Sequence, residues 1–266
     1  MSKKEVTIIR TPKMLLPNKT VDMRKWAVIA CDQYTSQKNY WDKVEEIVGD
    51  APSTLKITFP EYYLGKLDEA EKIKAIQAEE RKYLAENLFD VHPGMILVER
   101  QIDNGIRWGL MTLIDLEDYD YTKTSSSWIR ATEGTVAERI PPRVKIREGA
   151  PLEIPHILIL VDDSEKKLIE PLASMKDSLP KVYDFDLMMG SGHITGYSLA
   201  DEALEKQIYA VIEELQSDET IAKKYGEATE KNATRGKKAV AKYRHWYKVS
   251  TGIKIATGKE QTSAKS

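Results

Sequence analysis

The sequence predicts an α+β (mixed α/β) fold, a mixed sheet with flanking helices, from three observations. Residues 68–88 and 201–216 carry apolar side chains at helical spacing. Residues 95–100 and 107–115 are strand-like runs around Asp103-Asn104-Gly105, a hairpin turn signal. Residues 26–31 (WAVIAC) and 157–161 (ILILV) are short unbroken apolar runs, the pattern of strands buried on both faces. Strands interleaved with helices, hairpins included, point to a mixed sheet.

In chain order, residues 6–10 form a short strand that Pro12 stops. The run 26–31 delivers Asp32 to its C-terminal end. Ser36 caps a helix over 37–48, with Tyr40, Val44, Ile47 and Val48 on one face. A turn at 49–52 leads to a strand over 55–59. Asp68 caps the next helix and Glu71 completes a capping box. Ile73, Ile76, Tyr83 and Leu84 make its buried stripe. Residues 116–127 are a polar connection. Ser164 caps a helix that ends near 175–177. Residues 182–186 and 193–199 are strands on either side of the turn Gly190-Ser191-Gly192. The last helix buries Leu204, Ile208, Val211, Ile212 and Leu215.

The composition is that of a water-soluble globular protein, 41% hydrophobic and 31% charged. A net charge of -2 argues against general nucleic-acid binding. That average hides an asymmetry. Residues 221–266 hold 12 Lys/Arg against 3 Asp/Glu, so the remaining 28 basic and 39 acidic residues form an acidic body. Cys31 is the only cysteine, which excludes an internal disulfide and suits a reducing cytoplasm. The N-terminal residues lack the apolar core of a secretory signal, and no run approaches the ~20 apolar residues of a membrane helix.

The densest chemistry lies in 128–163. Arg130, Arg139, Arg143 and Arg147 offer planar forks of donors for phosphates or carboxylates. Thr132 and Glu133 lie in a stretch, 131–135, whose backbone N–H groups at a helix start would suit an anion. The same arginines fit a salt-bridged network with Glu133, Glu138, Glu148 and Glu153. Asp162 ends the second apolar run, and Asp184 and Asp186 lie on another strand. Carboxylates at strand ends suit Mg²⁺ beside a phosphate substrate, although capping is the commoner use of such acids. Asp32 and His193 are the candidate catalytic groups. Gly190 and Gly192 lack the lysine of a phosphate loop and fit a turn. Cys31 is expected to be a buried, inert thiol, and His92 and His156 to be structural.

Four runs carry a resemblance: WAVIACDQYTSQKNYWDKVEEIVGDAPSTL (26–55), RWGLMTLIDLEDYDY (107–121), IRATEGTVAERIPPRVKIREGAPLEIPHILILVDD (129–163) and YDFDLMMGSGHITGY (183–197). They resemble the bacterial and archaeal family called domain of unknown function 1015, over most of residues 1–225. Members of that family continue past the point matching Tyr225 with a Gly-Asp-Gly-Asn-His-Ser or Asp-Gly-His-His-Arg motif. This motif resembles the phosphate-handling signature of the ParB, sulfiredoxin and free-serine-kinase group. The resemblance therefore implies nucleotide-dependent phosphoryl transfer. Here the motif is missing: after Lys224-Tyr225-Gly226 the sequence runs into a lysine-rich stretch. Residues 226–266 are accordingly expected to be a basic, poorly ordered or non-native tail on a truncated or frameshifted member, with impaired activity.

Besides nucleic-acid association through the basic tail from Lys231 onward, two functions remain open at this stage. One is an enzyme that binds a nucleotide or phosphorylated metabolite through the arginines, with Mg²⁺ on Asp162, Asp184 or Asp186. The other is a non-catalytic binding or scaffold protein, a homodimer in one version, whose arginines form a structural Arg/Glu network.

Overall fold

A computed structural model of the protein describes residues 8–65, 68–115, 128–129, 140–154 and 156–217. The described residues form seven helices and eight strands, and every strand pair is antiparallel. β1 (Ile9–Arg10) pairs with β6 (Leu113–Ile114), and β2 (Lys13–Pro17) with β3 (Phe89–Pro93). The principal sheet has four strands in the order β5-β4-β8-β7, with β4 at Ile96–Ile102, β5 at Gly105–Met111, β7 at Lys181–Asp186 and β8 at His193–Ser198. The fold is therefore α+β, but the expected mixed sheet is not found among the described residues.

The physical reason is local. β4 and β5 close through Asp103-Asn104, with Ile102 opposite Gly105, and a tight hairpin makes antiparallel neighbours. β7 and β8 are joined by the turn through Gly190 and Gly192, and both glycines have positive φ. At Gly192 only a glycine fits, because a Cβ there would stand 2.0 Å from the Gln101 carbonyl oxygen. The turn reading of these glycines holds.

Two apolar runs expected as strands are something else. Residues 26–28 leave the short helix α1 (Met23–Trp26) and pass through the interior without a ladder. Their backbone groups find side chains instead. Thr54 Oγ1 accepts the Val28 N–H at 3.2 Å and donates to the Trp26 carbonyl at 2.8 Å. Residues 54–57, part of the expected strand over 55–59, are helix α3 (Thr54–Ile57), whose N-cap Ser53 accepts the Leu55 N–H. Residues 157–161 form no strand either, and Ile157, Leu158 and Ile159 are 37–40% exposed. An apolar run specifies partial burial. It does not specify which hydrogen bonds the backbone makes.

The longer helices follow their sequence more closely. α2 (Lys38–Val48) starts after Gln37, and Ser36 does not cap it. Its buried face is Trp41, Val44 and Val48, whereas Ile47 points out and Tyr40 is half-buried. α4 (Glu69–Ala85) is capped by Asp68, which accepts the Glu71 N–H at 3.0 Å as expected. It buries Ile76, Glu80 and Tyr83. α5 (Ile140–Arg147) holds Pro141-Pro142 in its first turn, where their missing N–H groups have no helical partner to lose. α6 (Ile169–Ser174) is shorter than the expected helix after Ser164, and Asp163 rather than Ser164 serves its approach. α7 (Glu202–Ser217) begins after Asp201, whose Oδ1 accepts the Ala203 and Leu204 N–H groups.

The principal sheet is buried on both faces. Ile96, Val98, Phe185 and Ile194 look toward Trp26, Tyr83 and the β2-β3 pair. Leu97, Tyr197 and Leu199 look toward α6 and α7. The polar residues Glu99, Gln101, Asp184, Asp186, His193 and Thr195 sit by strand alternation on the second face, at the end away from Leu97 and Leu199. That placement makes the site.

Candidate functional site

Register assembles the site from three neighbouring strands. β7 and β8 place Asp186 opposite His193 and Asp184 opposite Thr195. β4 places Glu99 opposite Thr195 and Gln101 opposite His193. Residues directly opposite on antiparallel strands share a face, so the period-two spacing of Asp184/Asp186, His193/Thr195 and Glu99/Gln101 brings six polar side chains together.

His193 is held at both ring nitrogens. Nδ1 lies 2.8 Å from Asp186 Oδ1 and Nε2 lies 2.6 Å from Asp184 Oδ1. A neutral imidazole has one N–H and would set its bare nitrogen against a carboxylate oxygen. Only the imidazolium donates to both. Asp186 first and Asp184 next therefore raise the His193 pKa above its ordinary value. Asp184 also accepts from Lys181 Nζ at 2.6 Å and Thr195 Oγ1 at 2.9 Å. Lys181 first, then His193, hold its carboxyl down to about 2.

Beside this group lies the buried carboxylate of Glu99. Lys176 Nζ and Tyr197 Oη donate to its Oε2, each at 2.9 Å, and Gln101 Nε2 donates to Oε1 at 3.1 Å. Burial pushes the carboxyl up, but these three donors outweigh it and hold the pKa below its ordinary value. Lys176 Nζ also stands 5.3 Å from the centre of the Trp108 ring, within cation–π reach. This half of the site, Glu99, Lys176, Tyr197, Thr195 and Lys181, is missing from the sequence expectations. Alternation along β4 and β8 was the signal that would have found Glu99 and Tyr197.

The other expected residues lie elsewhere or outside the described part. Arg130, Thr132, Glu133 and Arg139 are outside the described residues, as is the basic tail 226–266. Arg143 and Arg147, on α5, each meet a glutamate. Arg143 Nη2 pairs with Glu61, and Arg147 Nε donates to Glu153 Oε1 at 2.8 Å. Both carboxylates are largely covered, at 9% and 11% side-chain exposure, so these pairs resemble structural ties more than an anion grip. Asp32 follows Cys31, whose carbonyl accepts the Glu61 N–H at 2.7 Å, so Asp32 belongs to the neighbourhood of this arginine pair. It is thus in a different group from His193. Cys31 is half-buried, not fully buried as expected; desolvation first, and Asp32 next, push its thiol up to about 11.

Asp162 is not at the end of a strand; it lies beside Asp163 in a segment without helix or strand. Asp163 accepts the Lys167 and Leu168 N–H groups at 3.0 and 2.8 Å, the capping use of this acidic pair. Among the described residues no three His, Cys, Asp or Glu side chains are arranged to hold a metal ion. No described helix is long and apolar enough to cross a membrane.

The α+β fold and its carboxylate-clamped imidazole define a class, a protein of antiparallel sheets with a polar site on one face of the principal one. The chain belongs to the family described as Protein of unknown function (DUF1015), whose model matches residues 15–240. The last run that carries the resemblance ends at residue 197 and the expected likeness at about 225, so the match extends into the lysine-rich stretch. No curated protein and no solved structure matches the chain.

Proposed function

We propose that this protein is an enzyme that transfers a proton between His193 and a small phosphorylated ligand bound on the polar half of the four-stranded sheet. The observation that supports this reading is the double clamp on the imidazole. A doubly donating imidazolium is a proton donor fixed in direction by two carboxylates. A ligand oxygen that replaces either carboxylate at a ring N–H would meet a positioned general acid. Lys181 and Lys176 stand close by as the cations a phosphate would need. A nucleotide with Mg²⁺ is the finer form of the proposal. Mg²⁺ on Asp184 and Asp186 would take the same Oδ1 atoms that now hold His193, so metal and imidazolium compete.

A second reading, a binding or scaffold protein without catalysis, has its own support. Arg143 and Arg147 are tied to Glu61 and Glu153, as a structural Arg/Glu network would have them.

One experiment separates the two. Thermal melting is recorded with nucleotides and phosphorylated metabolites, each with and without Mg²⁺, on the wild type and on His193→Gln. A ligand at 100 times its Kd adds about 2.7 kcal/mol to stability. The enzyme reading expects a rise in Tm with at least one compound, and a smaller rise in His193→Gln. No rise with any compound, or equal rises in both proteins, leaves the scaffold reading.

A further inference from the structure

A cleft on another side of the molecule carries an independent inference. It measures ≈ 180 Å³ and is lined by Glu45, Val48, Gly49, Leu55, Lys56, Pro60, Tyr63 and Lys72. Val48, Leu55 and Pro60 are buried and form an apolar floor. Around it stand four polar side chains. Lys56 and Lys72 are half-buried, and neither ammonium has a hydrogen-bond or ion-pair partner among the described residues. Tyr63 Oη donates to Glu45 Oε1 at 2.8 Å. Burial first, and Glu45 next, raise the Tyr63 pKa, so the phenol keeps its proton and the glutamate its partner.

Folding thus brings two ammonium groups to one cleft and places neither in an ion pair among the described residues. The carboxylate that lines the cleft, Glu45, accepts from a neutral phenol and keeps its charge, so the lining carries a net charge of about +1. A cleft with a cationic excess and unpaired ammonium groups favours a bound anion. We propose that this cleft is an anion-binding site, and that its ligand is a small molecule with a phosphate or carboxylate head on a short carbon body. The two lysines take the head and the apolar floor takes the body. Size limits the choice. Sites for drug-sized ligands run to roughly 300–1,000 Å³, so the smaller cleft suits a ligand of a few carbon atoms and excludes a whole nucleotide.

The site does not depend on His193, and the test keeps the two apart. Binding of glycerol 3-phosphate and of succinate is measured by calorimetry on the wild type, on Lys56→Gln/Lys72→Gln and on His193→Gln. Because the lysines have no partner to lose, the double variant is expected to melt at or above the wild-type temperature without ligand. The expected result is that one probe or both bind the wild type and His193→Gln alike, and that the double variant binds at least about tenfold more weakly, as loss of charge-assisted contacts implies. Preference for one probe identifies the head group. Failure of both to bind the wild type overturns the proposal. Equal binding by the double variant, or binding lost only in His193→Gln, overturns it too.

Discussion

Glu80 is a carboxylate in the wrong solvent. It lies on α4, is 2% exposed, and accepts a single N–H, from Leu152 at 3.4 Å. Burial pushes its pKa from 4.5 up to about 7, and the nearby Glu153 pushes it the same way. A folded-state value above the unfolded one makes the neutral form the stabilising one. That stability is complete below pH 4.5 and is lost as pH rises through about 7. Glu80→Gln keeps the shape and the acceptor but cannot ionise. The variant is expected to gain on the wild type between pH 4.5 and pH 8, by at most about 3 kcal/mol. Urea unfolding at the two pH values reads the gap, and an unchanged gap refutes the assignment. His193 follows the same sign rule with a different cause. Its raised pKa comes from two partners, so its contribution fades as pH climbs past the imidazole range.

At the scale of elements, what decides is where backbone groups find partners. Thr54 shows it best, since one hydroxyl serves both Val28 and Trp26. Thr54→Val has nearly the same shape but strands the buried Val28 N–H and leaves the Trp26 carbonyl only the longer bond from Ser53 Oγ at 3.4 Å. A stranded buried group costs about 1–3 kcal/mol, so the variant is expected to lose about that much in urea unfolding. A loss under about 0.5 kcal/mol would mean the passage is held by packing alone. The same residue explains what the sequence did and did not disclose. α4, α7 and the β4-β5 hairpin were legible because periodicity, caps and an Asp-Asn-Gly turn all act within a few residues. The run 26–31 misled, because its hydrogen bonds come from Ser53 and Thr54, more than twenty positions away. For the site, Asp184, Asp186 and His193 were legible as reactive types. Their union was not, because it depends on register between β7 and β8. Arg143 and Arg147 were legible as cations, but Glu61, 82 positions from Arg143, was not legible as a partner.

At the scale of the whole molecule, the four-stranded sheet is the rigid part. β4 and β8 have a ladder on each side and an apolar layer over both faces. β1 and β6 share a ladder of two residues per strand. Amide hydrogen exchange is therefore expected to be slowest at Val98 and Ile194 and much faster at Arg10 and Leu113. Uniform rates across both sheets would mean that the molecule opens only as a unit. The link between α4 and α5 has a consequence of another kind. Gln77 Nε2 donates to the carbonyls of Ile146 and Glu148, and Arg81 Nη2 to that of Gly149. Ile146 is in the last turn of α5, whose carbonyls the end of a helix leaves without partners, and Glu148 and Gly149 follow directly after it. Gln77 and Arg81 therefore recognise a main-chain path and are indifferent to the side chains along it. Drift over generations would weigh unequally on the two helices. The outer surface of α5 is at liberty to change its residues as long as its last turn holds its course, while the two positions on α4 that grip it are not.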